Sequence, residues 1–204
     1  MSVAALFVHK GGAYYGLEDV DPWDEGRDAR LYDGPWPVVA HPPCNRWAQP
    51  LAQVNQTRYG HKVGDDGGCF ASALASVRRW GGVLEHPANS AAWDAFDLPQ
   101  PPTSGGWIRA FCGGWTCHIE QAMYGHRARK PTWLYAYGTD LPDLRWGRTP
   151  VDRITHSTTW LRAPGSICDT RPRLAKAEAA ASPPEFRDVL LNMARSVKPK
   201  ERAA

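Results

Sequence analysis

An α/β fold follows from three observations. Short apolar runs end at prolines or glycines, as strands of a buried sheet do. One strongly amphipathic stretch lies between two of those runs. The chain has 204 residues, 43% hydrophobic and 22% charged, which suits one domain with a sizeable core and not a disordered segment.

The elements follow in chain order. Val3 to Val8 reads as a first strand, and Gly11-Gly12 as the turn after it. Residues 18–34 are acidic and turn-rich. Pro37 to Ala40 reads as a second strand, stopped by Pro42-Pro43 because proline has no N–H to give to a ladder. Residues 45–67 read as irregular loop. Gly68 to Trp80 predicts a helix with Phe70, Leu74, Val77 and Trp80 near one face, and with Asp65-Asp66 at the positive end of its dipole. Gly81-Gly82 ends it. Gly82 to Pro87 is a further buried strand, and Ser90 to Phe96 a second helix. Pro99-Gln100-Pro101-Pro102 is a linker-like loop, and Trp115–Gln121 and Thr132–Tyr137 are two more strands. Residues 138–182 show no periodicity. Pro183-Pro184-Glu185 opens a last helix through Ser196, with Phe186, Val189, Leu190 and Met193 on its apolar face. The expected organisation is a single α/β domain over 1–197, with 138–182 irregular and 198–204 a flexible tail.

Composition narrows the function less. The formal net charge of +3 is too small to demand nucleic acid. Its distribution is uneven: residues 1–35 hold seven acids against three bases, leaving +7 on the rest, which permits a phosphate-facing side. Ten tryptophans are an enrichment that serves cores, interfaces or base stacking. Five cysteines form no regular framework, and the opening apolar run is too short for a signal core or a membrane span. These features predict a cytoplasmic protein with free thiols and no membrane partner. Cys112 with Cys117-His118 lacks the second ligand pair of a structural zinc site, so no metal is expected.

The strand, loop, helix and strand from Pro37 to Pro87 form one βαβ unit with two parallel neighbours. That places Cys44 and Glu85, 41 positions apart, at one sheet edge, where open α/β sheets bind ligands. A thiolate is a strong nucleophile. Added to carbon 6 of a pyrimidine, it makes carbon 5 reactive, with a neighbouring carboxyl group at the ring nitrogen and arginines on phosphate. His41 and Arg46 are the groups that could lower the thiol's pKa. The plain alternatives are a buried structural thiol, a Glu85 paired with Arg46 or His86, and solvated turns for the acids and arginines.

Three segments in this order resemble the DNA cytosine carbon-5 methyltransferase family, in a short form like those of phage and prophage genomes. Pro42-Pro43-Cys44 resembles its Pro-Cys nucleophile loop. Leu84-Glu85-His86-Pro87 resembles its Glu-Asn-Val segment. Tyr124-Gly125-His126-Arg127-Ala128-Arg129-Lys130 resembles its Tyr-Gly-Val-Pro-Gln-Arg-Arg stretch. Leu6-Phe7 with Gly11-Gly12 and Gly16-Leu17-Glu18 is more loosely similar to the cofactor loop. The resemblance implies a Rossmann-like methyltransferase-type sheet with flanking helices, trimmed in size. It implies Cys44, Glu85, Arg127 and Arg129 as catalytic residues and a DNA or nucleotide substrate. His41, Pro43, Arg46, Trp47 and His86 would line the base. S-adenosylmethionine would be held by Phe7, Gly11, Gly12, Glu18, Asp19, Asp21 and Trp23, the acids on ribose and Trp23 on adenine. The chain departs from the family at Val8-His9-Lys10, in the missing acid before Leu6, in Glu-His-Pro, and in the short 138–182 stretch. Two other readings stay open: a base- or nucleotide-modifying enzyme with another donor, and a catalytically silent nucleic-acid-binding protein.

Overall fold

The computed structural model describes residues 1–48, 56–155 and 170–198. The proposed tail, apart from Lys198, lies outside these residues, as do 156–169 of the irregular stretch. One mixed seven-stranded sheet organises the rest. Its strands are β1 (Val3–Leu6), β2 (Val20–Trp23), β3 (Val38–Ala40), β4 (Gly82–Pro87), β5 (Trp107–Arg109), β6 (Trp115–Glu120) and β7 (Pro131–Tyr137), in the spatial order β2-β1-β3-β4-β7-β6-β5. The first four are parallel and the last three are antiparallel to their neighbours.

Alternation along the strands sorts side chains onto two faces. Ala4, Leu6, Val38, Ala40, Leu84, Trp133 and Tyr135 share a core with α1 (Cys69–Trp80) and α2 (Ala91–Ala95). Val3, Ala5, Val39, Val83, Ile119, Leu134 and Ala136 face α4 (Pro184–Arg195). The short α3 (Lys176–Ala180) packs apart from both, with Ala179 against Ala128 and Leu174.

Local chemistry explains the boundaries. Asp66 accepts from the backbone N–H groups of Gly68 and Phe70, satisfying donors that the start of α1 leaves open. Gly82 (φ +126°) opens β4 where a Cβ would stand 1.9 Å from the Val38 carbonyl oxygen, so only glycine lets β3 and β4 close up. Pro184 starts α4, whose Phe186, Leu190, Leu191, Met193 and Ala194 are buried. Each larger side chain among them contributes about 1.5–3 kcal/mol of burial.

Among the described residues, the helical stretch 56–59 departs from the expected irregular loop, and three further elements differ from expectation. Residues 20–23 form β2, because a proline is tolerated on an edge strand where its missing N–H faces outward. β5 is a three-residue edge strand between glycine pairs, too short to show a period. α3 lies inside 138–182, where no periodicity is visible. The other strands and helices agree with the sequence to within two residues at each end.

Candidate active site at the carboxyl edge of the sheet

β3 and β4 pair in parallel with Ala40 opposite Leu84, so His41 and Glu85 both step off this pair at the carboxyl edge. The His41 N–H still reaches the Leu6 carbonyl at 3.0 Å. Pro42 and Pro43 then end pairing, and the Cys44 carbonyl accepts from the N–H groups of Trp47 and Ala48. The half-buried Cys44 thus opens a tight turn beside the end of β4.

Alternation separates Glu85 from His86. Glu85 follows Val83 onto the α4 face, where it is buried with His41, Gln121 and Thr132. His86 points to the opposite face. It lies against Phe70 (centroids 5.2 Å) and stacks on Trp93 (6.3 Å), so its ring is buried in the core, next to the backbone of Pro43.

The Glu85 carboxylate is held on both oxygens. Oε2 meets His41 Nδ1 at 3.0 Å, and Oε1 accepts from Gln121 Nε2 at 3.1 Å. The same Gln121 amide reaches Thr132 Oγ1 at 3.0 Å. His41 Nε2 lies 2.8 Å from the Tyr14 hydroxyl. Burial opposes ionisation of Glu85, yet the hydrogen bond and charge of His41 hold its pKa at about 2. With the carboxylate ionised, His41 carries a proton on Nδ1 and donates it to Glu85. Burial, then the Glu85 charge, push the Tyr14 phenol well above its usual range. Burial, then Glu85, also push the Cys44 thiol up, and the cation pulling it back is Lys130. Burial lowers the Lys130 pKa, against the pull of Glu85 and Cys44.

Tyr14, Gln121, Thr132 and Lys130 were not singled out from the sequence. Counting by twos could have found three of them. Gln121 continues the Cys117, Ile119 alternation, and Lys130 and Thr132 lead into Leu134 and Ala136, all toward the Glu85 face. Tyr14 lies in a turn region that carries no period.

The other candidates divide. Arg127 is exposed and pairs with Glu178 at 2.7 Å, an exchangeable surface ion pair. Arg129 holds Glu120, whose side chain is 2% exposed, so releasing it would strand a buried charge. Pro43 is exposed at the loop and Arg46 is half-buried. Trp47 turns inward onto Phe70 and Phe96, with its indole N–H on Asp66 at 2.7 Å. It offers no open face to a base, because the turn after Cys44 folds it under α1.

The residues expected to hold S-adenosylmethionine do not assemble into a seat for it. Glu18 and Asp19 precede β2 and sit at the amino edge, opposite Cys44, since Val3 pairs with Val20. Asp21 is taken by the Trp23 indole N–H at 2.8 Å and by Arg27. The Arg27 guanidinium covers the Trp23 ring at 4.0 Å, where adenine would stack. Phe7 sits at φ 58°, a strained conformation at the end of β1, and leads into turns instead of a helix N-terminus. Gly12 closes one of those turns, where a Cβ would come 2.9 Å from the His9 carbonyl oxygen, so its bareness serves the turn.

Among the described residues no helix is long and apolar enough to cross a membrane, and no group of three or more His, Cys, Asp or Glu side chains could hold a metal. Compared with family profiles, with curated proteins and with solved structures, the chain matches none.

Proposed function

We propose that the protein modifies a pyrimidine base, in DNA or as a nucleotide, through covalent addition of the Cys44 thiol to carbon 6. The observation that carries this reading is the parallel β3–β4 register, which puts Cys44 and the ionised Glu85 at the same edge of the sheet. The order of the Pro-Pro-Cys, Leu-Glu-His-Pro and Tyr-Gly-His-Arg segments supports kinship with the DNA cytosine carbon-5 methyltransferases. The four parallel strands β2-β1-β3-β4 support a trimmed Rossmann-like sheet. The substrate partner is DNA or a nucleotide in the cytoplasm.

In this reading Cys44 Sγ bonds to carbon 6 and the electron pair moves to carbon 5, which takes up a proton or another electrophile. Loss of the carbon 5 hydrogen and expulsion of the thiolate restore the ring. Glu85 is too acidic to donate a proton near neutrality, so it serves as a carboxylate: an acceptor for an amino edge and the anchor that orients His41. His41 is the group placed to carry protons. Arg127 can exchange Glu178 for a phosphate, whereas Arg129 stays with Glu120. The arrangement around Trp23 supports a donor other than S-adenosylmethionine.

The test is exchange of the cytosine carbon 5 hydrogen with deuterated solvent, followed by mass spectrometry on an oligonucleotide and on free deoxycytidine monophosphate. This requires addition and elimination but no donor. Exchange by the native protein and its loss in Cys44→Ser are expected. Absence of exchange on both substrates, or undiminished exchange by the serine variant, overturns the proposal.

A further inference from the structure

We infer that Tyr14 is a positioning residue for the site, the hydrogen-bond partner through which His41 gains and loses its proton. Its role in turnover rests on the proposed base chemistry, whereas the contact itself does not.

The direction of each bond in the buried network follows from one end. The Lys130 carbonyl can only accept, and it takes the Thr132 hydroxyl proton at 3.1 Å. The Thr132 oxygen is left as an acceptor, so the Gln121 atom 3.0 Å from it is the amide Nε2. That amide gives its second proton to Glu85 Oε1 at 3.1 Å. Glu85, ionised and acceptor-only, takes its other donor from His41 Nδ1 at 3.0 Å. Every bond from Lys130 to His41 therefore runs one way, and Nδ1 keeps its proton.

His41 Nε2 and the Tyr14 hydroxyl, 2.8 Å apart, form the one bond of this chain whose direction is open. A phenol both donates and accepts. With a neutral ring, the Tyr14 O–H donates to the bare nitrogen. With a protonated ring, Nε2–H donates to the Tyr14 oxygen. The proton that His41 trades is thus the one on Nε2, and the imidazole keeps both contacts while trading it.

The turn carrying Tyr14 is braced to hold this contact. The Gly12 N–H bonds to the His9 carbonyl at 2.9 Å, and the Tyr15 N–H to the Gly12 carbonyl at 3.0 Å. On one side of Tyr14, Arg187 of α4 donates to the Ala13 carbonyl at 3.0 Å. On the other, the Tyr15 hydroxyl donates to Asp24 at 2.6 Å. The Tyr14 ring is buried and tilts onto the imidazole with centroids 5.3 Å apart. A buried phenol needs a partner, and among the described residues His41 is the one it has. The charged or titratable groups bearing on the pair are Glu85 from β4, Arg187 and Asp188 from α4, and Lys130 and His86 acting on Glu85. Arg187 is itself paired with Asp188.

The test is nitrogen-15 NMR of the full chain labelled at histidine, between pH 5 and 9, with His41→Asn identifying the ring signals. In the native protein Nδ1 should stay protonated over the whole range while Nε2 alone changes. Tyr14→Phe removes the hydroxyl and keeps the ring. The Nε2 signal of the neutral imidazole should then move downfield, as an acceptor nitrogen does on losing its donor, with Nδ1 unmoved. The same variant should exchange carbon 5 about tenfold more slowly at saturation, with the half-saturating concentration unchanged. A neutral ring with its proton on Nε2 overturns the inference, as does an unmoved Nε2 signal or full-rate exchange in folded Tyr14→Phe. The native spectrum decides the first point even where the phenylalanine variant does not fold. The ring signals are read without substrate, so absence of exchange by the native protein overturns the proposed function alone.

Discussion

Cys44 and Cys112 occupy opposite edges of the same sheet and opposite chemical conditions. Cys44 follows β3 at the carboxyl edge, where burial and Glu85 hold its thiol up. Cys112 lies exposed in the β5–β6 turn at the amino edge. Burial works against ionisation there too, but the Tyr135 hydroxyl at 3.4 Å and Arg78 Nη2 at 3.1 Å carry its pKa below the usual thiol value. The more acidic thiol is therefore not the one at the carboxyl edge. Intrinsic reactivity and functional placement are separate properties, and a site can keep its nucleophile protonated until a substrate displaces water.

Four measurements would break or sharpen this contrast, beginning with the largest effect. Glu85→Ala leaves His41 and Gln121 facing an empty buried position and should cost about 3–5 kcal/mol in urea unfolding. Arg78→Ala, at the other edge, should cost under about 1 kcal/mol. Equal losses would mean that the two edges are built alike.

Acid should weaken the carboxyl edge next. Burial holds the His86 pKa at about 4, below its ordinary 6.5. Above pH 6.5 neither the folded nor the unfolded state binds this proton. Between 6.5 and 4 the unfolded chain takes it up and the folded chain does not, so stability falls as the pH drops, by about 3 kcal/mol in all. Glu85, held at about 2 against an ordinary 4.5, adds a further loss below pH 4.5 with the same sign. Urea titrations at pH 7, 5.5 and 4 should show the decline, and His86→Phe should flatten its upper part.

Thiol labelling gives a third, smaller effect. At pH 7.5 iodoacetamide should modify Cys112 faster than Cys44, since its thiol ionises more readily. Arg78→Ala should slow Cys112 several-fold without touching Cys44. A faster Cys44 would reverse the contrast. The smallest change belongs to Arg127→Ala, which removes an exposed ion pair and should alter stability by under about 1 kcal/mol, as thermal melting would record. A large loss there would mean that Arg127 is a structural arginine like Arg129.

Much of the scaffold is legible residue by residue. Val3 to Leu6, Val38 to Ala40 and Gly82 to Pro87 announce themselves because buried parallel strands are uniformly apolar and end at proline or glycine. α1 and α4 show their faces at Phe70, Leu74 and Val77 and at Phe186, Leu190 and Met193, because helical periodicity is long enough to be seen. β2 was hidden by its acids and Pro22, since an edge strand needs only one paired side. That Cys44 and Glu85 share one edge of the sheet could be reasoned from topology alone. The opposite facing of Glu85 and His86 was also implicit in a period of two, although neighbouring letters invite the reader to group them.

What the chain alone determines is which segments pair and which edge they share, because strand alternation, proline stops and parallel connection are local rules with few solutions. Tertiary packing alone decides the partners: Tyr14 on His41, His41 on Glu85, Arg27 over Trp23, and α3 holding Lys130. These are contacts between distant segments whose side chains compete for the same buried charges. Their outcome depends on distances and burial that no local pattern encodes.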